Sequence, residues 1–253
     1  MSSIESFSRA AFILGFPIRW SLVKRGYWGI VSPGSPHLFS WRLRWIVPEK
    51  HMAYSSESTQ GMPELGKSIP RRGGSLSKAS ARAIMSAAGW KITGEVPDEP
   101  KILLVGAPHT SNWDYIFTVL TTYSLGVDLH FVAKHSLFKK PLGGLMRRTG
   151  GIPLNRSTSE GFVEQMVEEF NKRDSLMLAI MPEGTRSREE ACQWRSGFYH
   201  IAQGAGVPIT LVIFDYGRKI MHLGPTFWPS GEYEADLAEI QSYYVGIEGK
   251  HPR

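Results

Sequence analysis

A histidine and an aspartate five residues apart, His109 and Asp114, are the side chains of this sequence best suited to acid–base chemistry. They follow the apolar run 102–105, which is typical of a buried strand, and lie where a helix is expected to begin. Across such a turn the carboxylate can bond to the imidazole and fix its tautomer, so that the other ring nitrogen can remove a proton from an alcohol. The pair predicts a general base that needs no protein nucleophile.

The same His-x4-Asp spacing also has a purely structural interpretation. Asp114 can cap the helix, and His109 can satisfy a nearby backbone group. The spacing alone does not separate the two interpretations. Two further motifs favour the catalytic one.

The first of these motifs, 150–156, is a glycine turn and a short strand-like segment that ends in Arg156. No acidic residue occurs from 129 to 159, whereas six Lys or Arg residues do. A guanidinium can hold phosphate through two parallel hydrogen bonds, so this region favours a phosphorylated partner. A solvated basic face is the alternative.

The second motif, 181–187, directly follows another apolar run. Gly184 permits unusual backbone angles and Thr185 offers a hydroxyl. Arg186 adds a positive charge, and Glu183 can orient hydroxyls or hold the loop. Taken together, the three motifs predict one cleft.

These motifs, in this order, resemble the glycerophospholipid acyltransferases, the family that includes lysophosphatidic acid acyltransferase. Family members carry an (Asn/Pro)-His-x-Ser-x-x-Asp block, which His109, Ser111 and Asp114 match. The resemblance covers roughly residues 80–253. It implies an α/β fold with a mixed, largely parallel sheet flanked by helices, as in glycerol-3-phosphate acyltransferase, and catalytic roles for His109 and Asp114.

Three further blocks of the family have counterparts in this chain. Residues 151–156 look like the second block, whose arginine is associated with the acceptor phosphate, and 183–187 resemble the third, Phe-Pro-Glu-Gly-Thr-Arg-Ser. Residues 207–209 resemble the fourth, an apolar segment on the acyl-donor side. The resemblance thus implies acceptor-binding roles for several residues and places one proline on the donor side: Ser111, Arg156, Glu183, Gly184, Thr185 and Arg186, and then Pro208.

The implied reaction belongs to phospholipid biosynthesis and moves a fatty acyl group from acyl-CoA or acyl carrier protein to a hydroxyl of a lysophospholipid or similar acceptor. His109 would take the hydroxyl proton, Asp114 would orient the ring, and backbone N–H groups near the helix start would hold the oxyanion. Two alternatives stay open. One is a thioester hydrolase in which His109 activates water, and the other is a non-catalytic lipid-binding protein.

The implied reaction needs no metal or redox cofactor. The acyl thioester, acyl-CoA or acyl carrier protein, takes part as a co-substrate. His109, Asp114 and His135 offer only three possible ligands with no recognised spacing. The single cysteine, Cys192, excludes an intramolecular disulfide and a Cys-based zinc cluster. We expect no resident metal.

The formal net charge of +6 lies entirely within residues 1–77, which hold ten Lys or Arg and four Glu. Within them, 6–48 contain four Trp and no acid. Aromatic rings between cations suit an anionic bilayer interface. Contact with nucleic acid and a loosely packed extension are the alternatives, although the balanced charge of 78–253 argues against a nucleic-acid module.

Residues 53–77 are rich in Ser, Gly and Pro, as linkers are, which predicts two parts: an extension, 1–77, and an acyltransferase domain, 78–253. With 42% hydrophobic residues, the 253-residue chain has an ample core. No run reaches the roughly 18 apolar residues of a spanning helix. We therefore expect a cytoplasmic protein, peripheral on the inner face of a membrane.

Overall fold

The computed structural model describes residues 62–154, 161–184 and 194–251 and the backbone of 19–23 and 27–31. The chain divides into two units, Met1–Lys50 and His51–Arg253. In the first unit, strands β1 (Arg19–Val23) and β2 (Tyr27–Val31) pair as an antiparallel hairpin. The described site residues all belong to the second unit.

The second unit is built on a seven-stranded sheet. Its strands are β3 (Lys91–Gly94), β4 (Lys101–Ala107), β5 (Leu129–Lys134), β6 (Gly151–Leu154), β7 (Leu176–Ile180), β8 (Ile209–Asp215) and β9 (Ile220–Phe227), in the spatial order β3-β9-β8-β4-β7-β5-β6. The five strands from β8 to β6 are parallel, whereas β9 runs antiparallel to β8 and pairs in parallel with β3. The predicted mixed, largely parallel sheet is confirmed.

Helices cover both faces of this sheet. Those described are α1 (Ser75–Ala87), α2 (Trp113–Leu125), α3 (Gly143–Arg148), α4 (Phe162–Asn171), α5 (Gly197–Ala205) and α6 (Tyr233–Ser242), with a 3-10 turn at His135–Phe138. None of these helices has both the length and the apolar composition that crossing a bilayer requires.

The central strand β4 shows why both faces need a cover. Successive side chains of a strand point to opposite faces. Ile102 and Leu104 pack in one core cluster with Met85 of α1, whereas Leu103 packs in the other with Phe170 of α4. A strand that is apolar at successive positions is therefore buried on both sides.

The predicted boundary between the two parts of the chain lies close to helix α1. This helix begins at Ser75, two residues before the boundary. Ile69 is buried in the same core cluster as Met85 of α1, although it lies in the segment whose composition resembles a linker. Residues 62–77 thus pack within the second unit, and the boundary predicted at residue 77 falls inside α1.

Candidate active site

The carboxyl end of the central strand positions the predicted catalytic pair. β4 ends at Ala107, His109 follows in the loop, and Asp114 is the second residue of α2. The Nδ1 atom of His109 lies 2.9 Å from Oδ2 of Asp114. The Asp114 side chain is fully buried, whereas that of His109 is 20% exposed. The structure brings the pair together, with the carboxylate inside and the ring reaching the surface.

Four hydrogen bonds converge on the Asp114 carboxylate. Its Oδ2 accepts from the His109 ring and from the backbone N–H groups of Thr110 and Ser111. Its Oδ1 accepts from the Tyr216 hydroxyl at 2.6 Å. Burial would by itself raise the pKa of Asp114, but the bonds from His109, Tyr216 and Ser111 hold it below the ordinary value. The ionised carboxylate keeps a proton on Nδ1, so Nε2 is the proton acceptor of the neutral ring.

Tyr216 is a site residue that the sequence analysis missed. It directly follows β8, the parallel neighbour of β4. Its ring packs edge-on against Trp90, with 4.9 Å between centroids, and its backbone N–H donates to the carbonyl of Glu248. Burial, together with the bond to Asp114, raises the pKa of Tyr216, so the hydroxyl remains a donor. The available signal was its position at the carboxyl end of a parallel strand.

Glu183 supports the histidine loop from the neighbouring strand. It lies three residues after the end of β7, and its side chain is buried. Its Oε2 accepts from the backbone N–H of His109 at 3.1 Å. Gly184 follows with φ at +64°, the left-handed region that glycine tolerates best. The observed contact of Glu183 is thus with the loop, and the acceptor contacts of Glu183 and Gly184 stay predictions.

The backbone amides at the start of α2 already have acceptors within the loop. Thr110 and Ser111 donate to Asp114, and Trp113 donates to the Ser111 hydroxyl at 3.2 Å. These three amides thus have side-chain acceptors in this structure, and the role of backbone amides near the helix start in holding an oxyanion stays a prediction. Ser111 is buried and stabilises this turn, and its contact with a substrate stays a prediction.

Pro208 lies at the other end of the sheet from His109. Its carbonyl accepts from the backbone N–H of Leu103 at 3.0 Å, next to the first residue of β8. Because β8 and β4 are parallel, Pro208 lies beside the early part of β4, whereas His109 follows the last residue, Ala107. The structure does not bring Pro208 to the pair, and its place on the acyl-donor side stays a prediction.

Three predicted acceptor residues, Arg156, Thr185 and Arg186, lie outside the described residues. The described chain before them ends at Leu154, the last residue of β6, and at Gly184, just beyond β7. Both strands belong to the parallel set, so both ends lie at the same sheet edge as His109. The phosphate-binding roles stay predictions.

An apolar cavity of about 40 Å³ lies in the core next to the site loops. Its lining includes Gly106 and Met181, which precede those loops, and Phe214 of β8. A Cβ atom at position 106 would lie 2.8 Å from the Phe214 ring, so the glycine preserves this space. Such a cavity suits a hydrocarbon group, because apolar cavities of proteins stay dry.

Within the described ranges, no three His, Cys, Asp or Glu side chains come together as a metal site requires. His135 is exposed on the 3-10 turn, and Cys192 lies outside the described residues. That the reaction needs no metal or cofactor stays a prediction.

Similarity to known proteins covers the predicted catalytic pair and the strand that positions it. Residues 90–214 match the family model described as Acyltransferase. A 1-acyl-sn-glycerol-3-phosphate acyltransferase of Haemophilus influenzae is 28% identical over 160 residues, which are 60% of this chain and 64% of that protein. The Escherichia coli protein of the same name is 33% identical over 108 residues, 41% of this chain and 42% of its own length. The chain thus spans less than two thirds of either relative.

Among solved structures, the 1-acyl-sn-glycerophosphate acyltransferase of Thermotoga maritima is 16% identical, with a TM-score of 0.47 over 70% of this chain and 80% of that one.

Proposed function

Residues 90–214 form a domain of the acyltransferase family, and on this premise we propose that the chain transfers a fatty acyl group from a thioester to a hydroxyl of a lysophospholipid or glycerol-phosphate-type acceptor. The observation that carries the proposal is the His109–Asp114 pair, at 2.9 Å and within the matched region. The names of the relatives, 1-acyl-sn-glycerol-3-phosphate acyltransferases, support the choice of acceptor.

In the proposed mechanism, Nε2 of His109 takes the proton of the acceptor hydroxyl while its oxygen attacks the thioester carbonyl carbon. Asp114 stabilises the imidazolium that forms and does not itself take the proton. The tetrahedral intermediate collapses, the C–S bond breaks, and His109 returns its proton to the departing sulfur. The products are an ester and a free thiol.

The acceptor phosphate is assigned to the basic side of the cleft. Arg156 and Arg186 would bind it through paired hydrogen bonds, with Thr185 and the backbone of Gly184 beside them. The absence of acidic residues from 129 to 159 supports this assignment, since no carboxylate there competes with the phosphate. Glu183 would serve both by holding the His109 loop and by orienting an acceptor hydroxyl.

The donor is acyl-CoA or acyl carrier protein, and its acyl chain is assigned to the apolar side of the site. The cavity lined by Gly106, Met181 and Phe214 supports this placement, because it borders the site loops and is apolar. The basic, Trp-rich extension 1–77 would hold the protein on the inner face of an anionic membrane, where the lipid acceptor resides.

The test measures free thiol released from acyl-CoA by the full chain, with and without lysophosphatidate. We expect release that depends on the acceptor. Asp114→Asn should lower the rate by about 10²- to 10⁴-fold, since it disturbs the tautomer and the charge of the pair. Asp128→Asn is the matched control, because it removes another aspartate near a histidine.

Three outcomes would overturn the proposal. Thiol release without an acceptor identifies a hydrolase, and acceptor binding without thiol release identifies a lipid-binding protein. An unchanged rate in a folded Asp114→Asn, with the circular dichroism spectrum of the parent, would remove the pair from the reaction.

A further inference from the structure

A segment with exposed leucines and cations, residues 134–148, begins at the last residue of β5, at the end of the sheet that carries the site, and it is named here the 134–148 patch. Leu137, Leu142 and Leu145 are 40%, 48% and 52% exposed. Its cations, also exposed, are Lys134, Lys139, Lys140, Arg147 and Arg148. The patch contains no acidic residue. Large aliphatic side chains exposed together mark an interaction surface.

The leucines project from a well-anchored base. Phe138 and Met146 are buried beneath the patch. A Cβ atom at Gly143 would lie 2.0 Å from the carbonyl oxygen of Phe138, so the turn and α3 pack closely. The Arg147 guanidinium donates to the carbonyls of Phe138 and Gly143 at 3.4 and 3.3 Å. These contacts fix the backbone of the segment. Leu142 is the N-cap of α3, and Leu145, three positions later, lies on the same face of the helix.

The patch continues into the helix that carries Asp114. The hydroxyl groups of Tyr115 in α2 and Thr149, just after α3, are 2.9 Å apart. The first turn of α2 also exposes two large apolar side chains, Trp113 and Ile116. This bond ties the end of α3 to the first turn of α2, where Trp113 and Ile116 are exposed beside the predicted catalytic pair.

From these contacts we infer that the 134–148 patch docks on an anionic lipid bilayer, an inference that rests on the proposed function because the acceptor is then a membrane lipid. The leucines enter the boundary between headgroups and acyl chains, and the cations contact anionic headgroups. The bilayer is favoured over an acidic carrier protein because it offers an apolar interior for the leucines beneath an anionic surface for the cations, whereas a protein must supply a surface of complementary shape. The patch is a second contact, distinct from the extension 1–77.

One experiment places a fluorophore in the patch and measures whether it enters a bilayer. The only cysteine is removed as Cys192→Ser, and Leu142→Cys is labelled with a polarity-sensitive dye. On vesicles of phosphatidylcholine and phosphatidylglycerol, we expect a blue shift and quenching by quencher-labelled lipid. Leu76→Cys is the control, because Leu76 is 80% exposed on α1. No shift at position 142, an equal shift at 76, or a response to an acidic acyl carrier protein instead of vesicles would overturn the inference.

A second experiment measures vesicle partitioning of the full chain by co-sedimentation. Lys139→Gln with Lys140→Gln should weaken partitioning by about thirtyfold, and added salt should reduce this difference. Lys67→Gln with Lys91→Gln removes the same charge from exposed positions outside the patch and should leave partitioning unchanged. Equal partitioning of both variants would contradict the inference.

Acyl transfer to a detergent-dispersed acceptor separates the two proposals. The patch variants should keep the parent rate there, since the acceptor no longer has to be drawn from a bilayer. If the patch variants keep the parent's rate in detergent and also bind vesicles as well as the parent does, the docking surface alone is overturned. A parent chain that transfers no acyl group even in detergent would overturn the proposed function.

Discussion

His109 and His130 each lie near an aspartate, the first beyond the carboxyl end of β4 and the second near the amino end of β5. Nδ1 of His109 is 2.9 Å from Asp114, whereas Nδ1 of His130 is 3.9 Å from Asp128. The Asp114 side chain is fully buried, but that of Asp128 is 34% exposed and forms an ion pair with Arg72.

The surroundings of the two imidazoles differ as much as the distances. Burial lowers the pKa of His130, and the charges of Arg173 and Arg72 lower it further against the opposing effect of Asp128. Nε2 of His130 accepts from the Arg173 guanidinium at 3.1 Å, so an arginine takes the nitrogen that a base would use. A short distance between histidine and aspartate is therefore not enough to identify a base. What the carboxylate and the other ring nitrogen bond to matters more.

The largest expected effect tests the two histidines against each other. His109→Gln should lower acceptor-dependent thiol release by about 10³-fold, because it removes the base. His130→Gln should leave the rate within about twofold, since His130 lies near the amino end of β5, whereas His109 follows the carboxyl end of β4. Rates of the purified variants at saturating acyl-CoA measure both effects. A comparable loss of rate in both variants would show that the two histidine–aspartate pairs do not differ in their importance for the reaction.

A smaller effect is expected from removing the hydroxyl that holds Asp114. In Tyr216→Phe the ring keeps its packing against Trp90, but Oδ1 of Asp114 loses its donor. We expect kcat to fall about tenfold with KM unchanged, as for a lost hydrogen bond to a charged group. Because that bond lowers the pKa of Asp114, its loss should raise this pKa.

The unfolding free energy gives Tyr216→Phe an independent readout. A folded-state pKa of Asp114 below the ordinary value of 3.8 means that the ionised carboxylate stabilises the fold above that pH, and that this stabilisation is lost as the pH falls through the folded pKa. The variant should therefore be less stable than the parent at pH 7, by a margin that shrinks toward pH 3. A stability deficit that stays constant from pH 7 to pH 3 would reduce Tyr216 to a packing residue.

The smallest effect on catalysis is expected at a third histidine, which is bonded to a hydroxyl. His222 is buried, with Nδ1 2.9 Å from Oγ1 of Thr93, and burial lowers the pKa of His222 to about 4. The unfolded chain therefore takes up this proton at a higher pH than the folded chain, and stability falls as the pH drops from about 6.5 toward 4.

Urea unfolding at pH 7 and pH 5 measures this contribution. The parent should lose about 2 kcal/mol more of its unfolding free energy over this range than His222→Gln does, while thiol release at pH 7 stays unchanged. Equal losses would show that His222 titrates alike in the folded and unfolded chains.

The contacts that the sequence reveals are those made within one turn. His109 and Asp114 are predictable because they are five residues apart across a strand-to-helix turn, and β4 is predictable because it is apolar throughout. The bond from Tyr216 to Asp114 spans 102 residues, and that from His109 to Glu183 spans 74. No local pattern encodes these bonds, because they depend on which strands become neighbours.

Strand neighbours also decide positions that the sequence leaves open. Pro208 belongs to a block that resembles the donor side of the family, and the parallel register of β8 and β4 places it at the end of the sheet away from His109. Ile69 lies in a segment with the composition of a linker, and only the packed structure shows that it belongs to the core. Burial at isolated positions and strand order are both properties of the completed fold.

The three strands that bear His109, Glu183 and Tyr216 are β4 and its two parallel partners, β7 and β8. Pairings between segments so distant along the chain form slowly, because loop closure costs entropy before any contact rewards it. After dilution from urea, enzymatic turnover should consequently reappear later than helical circular dichroism. The rate at which turnover returns would then report the rate at which β8 pairs with β4.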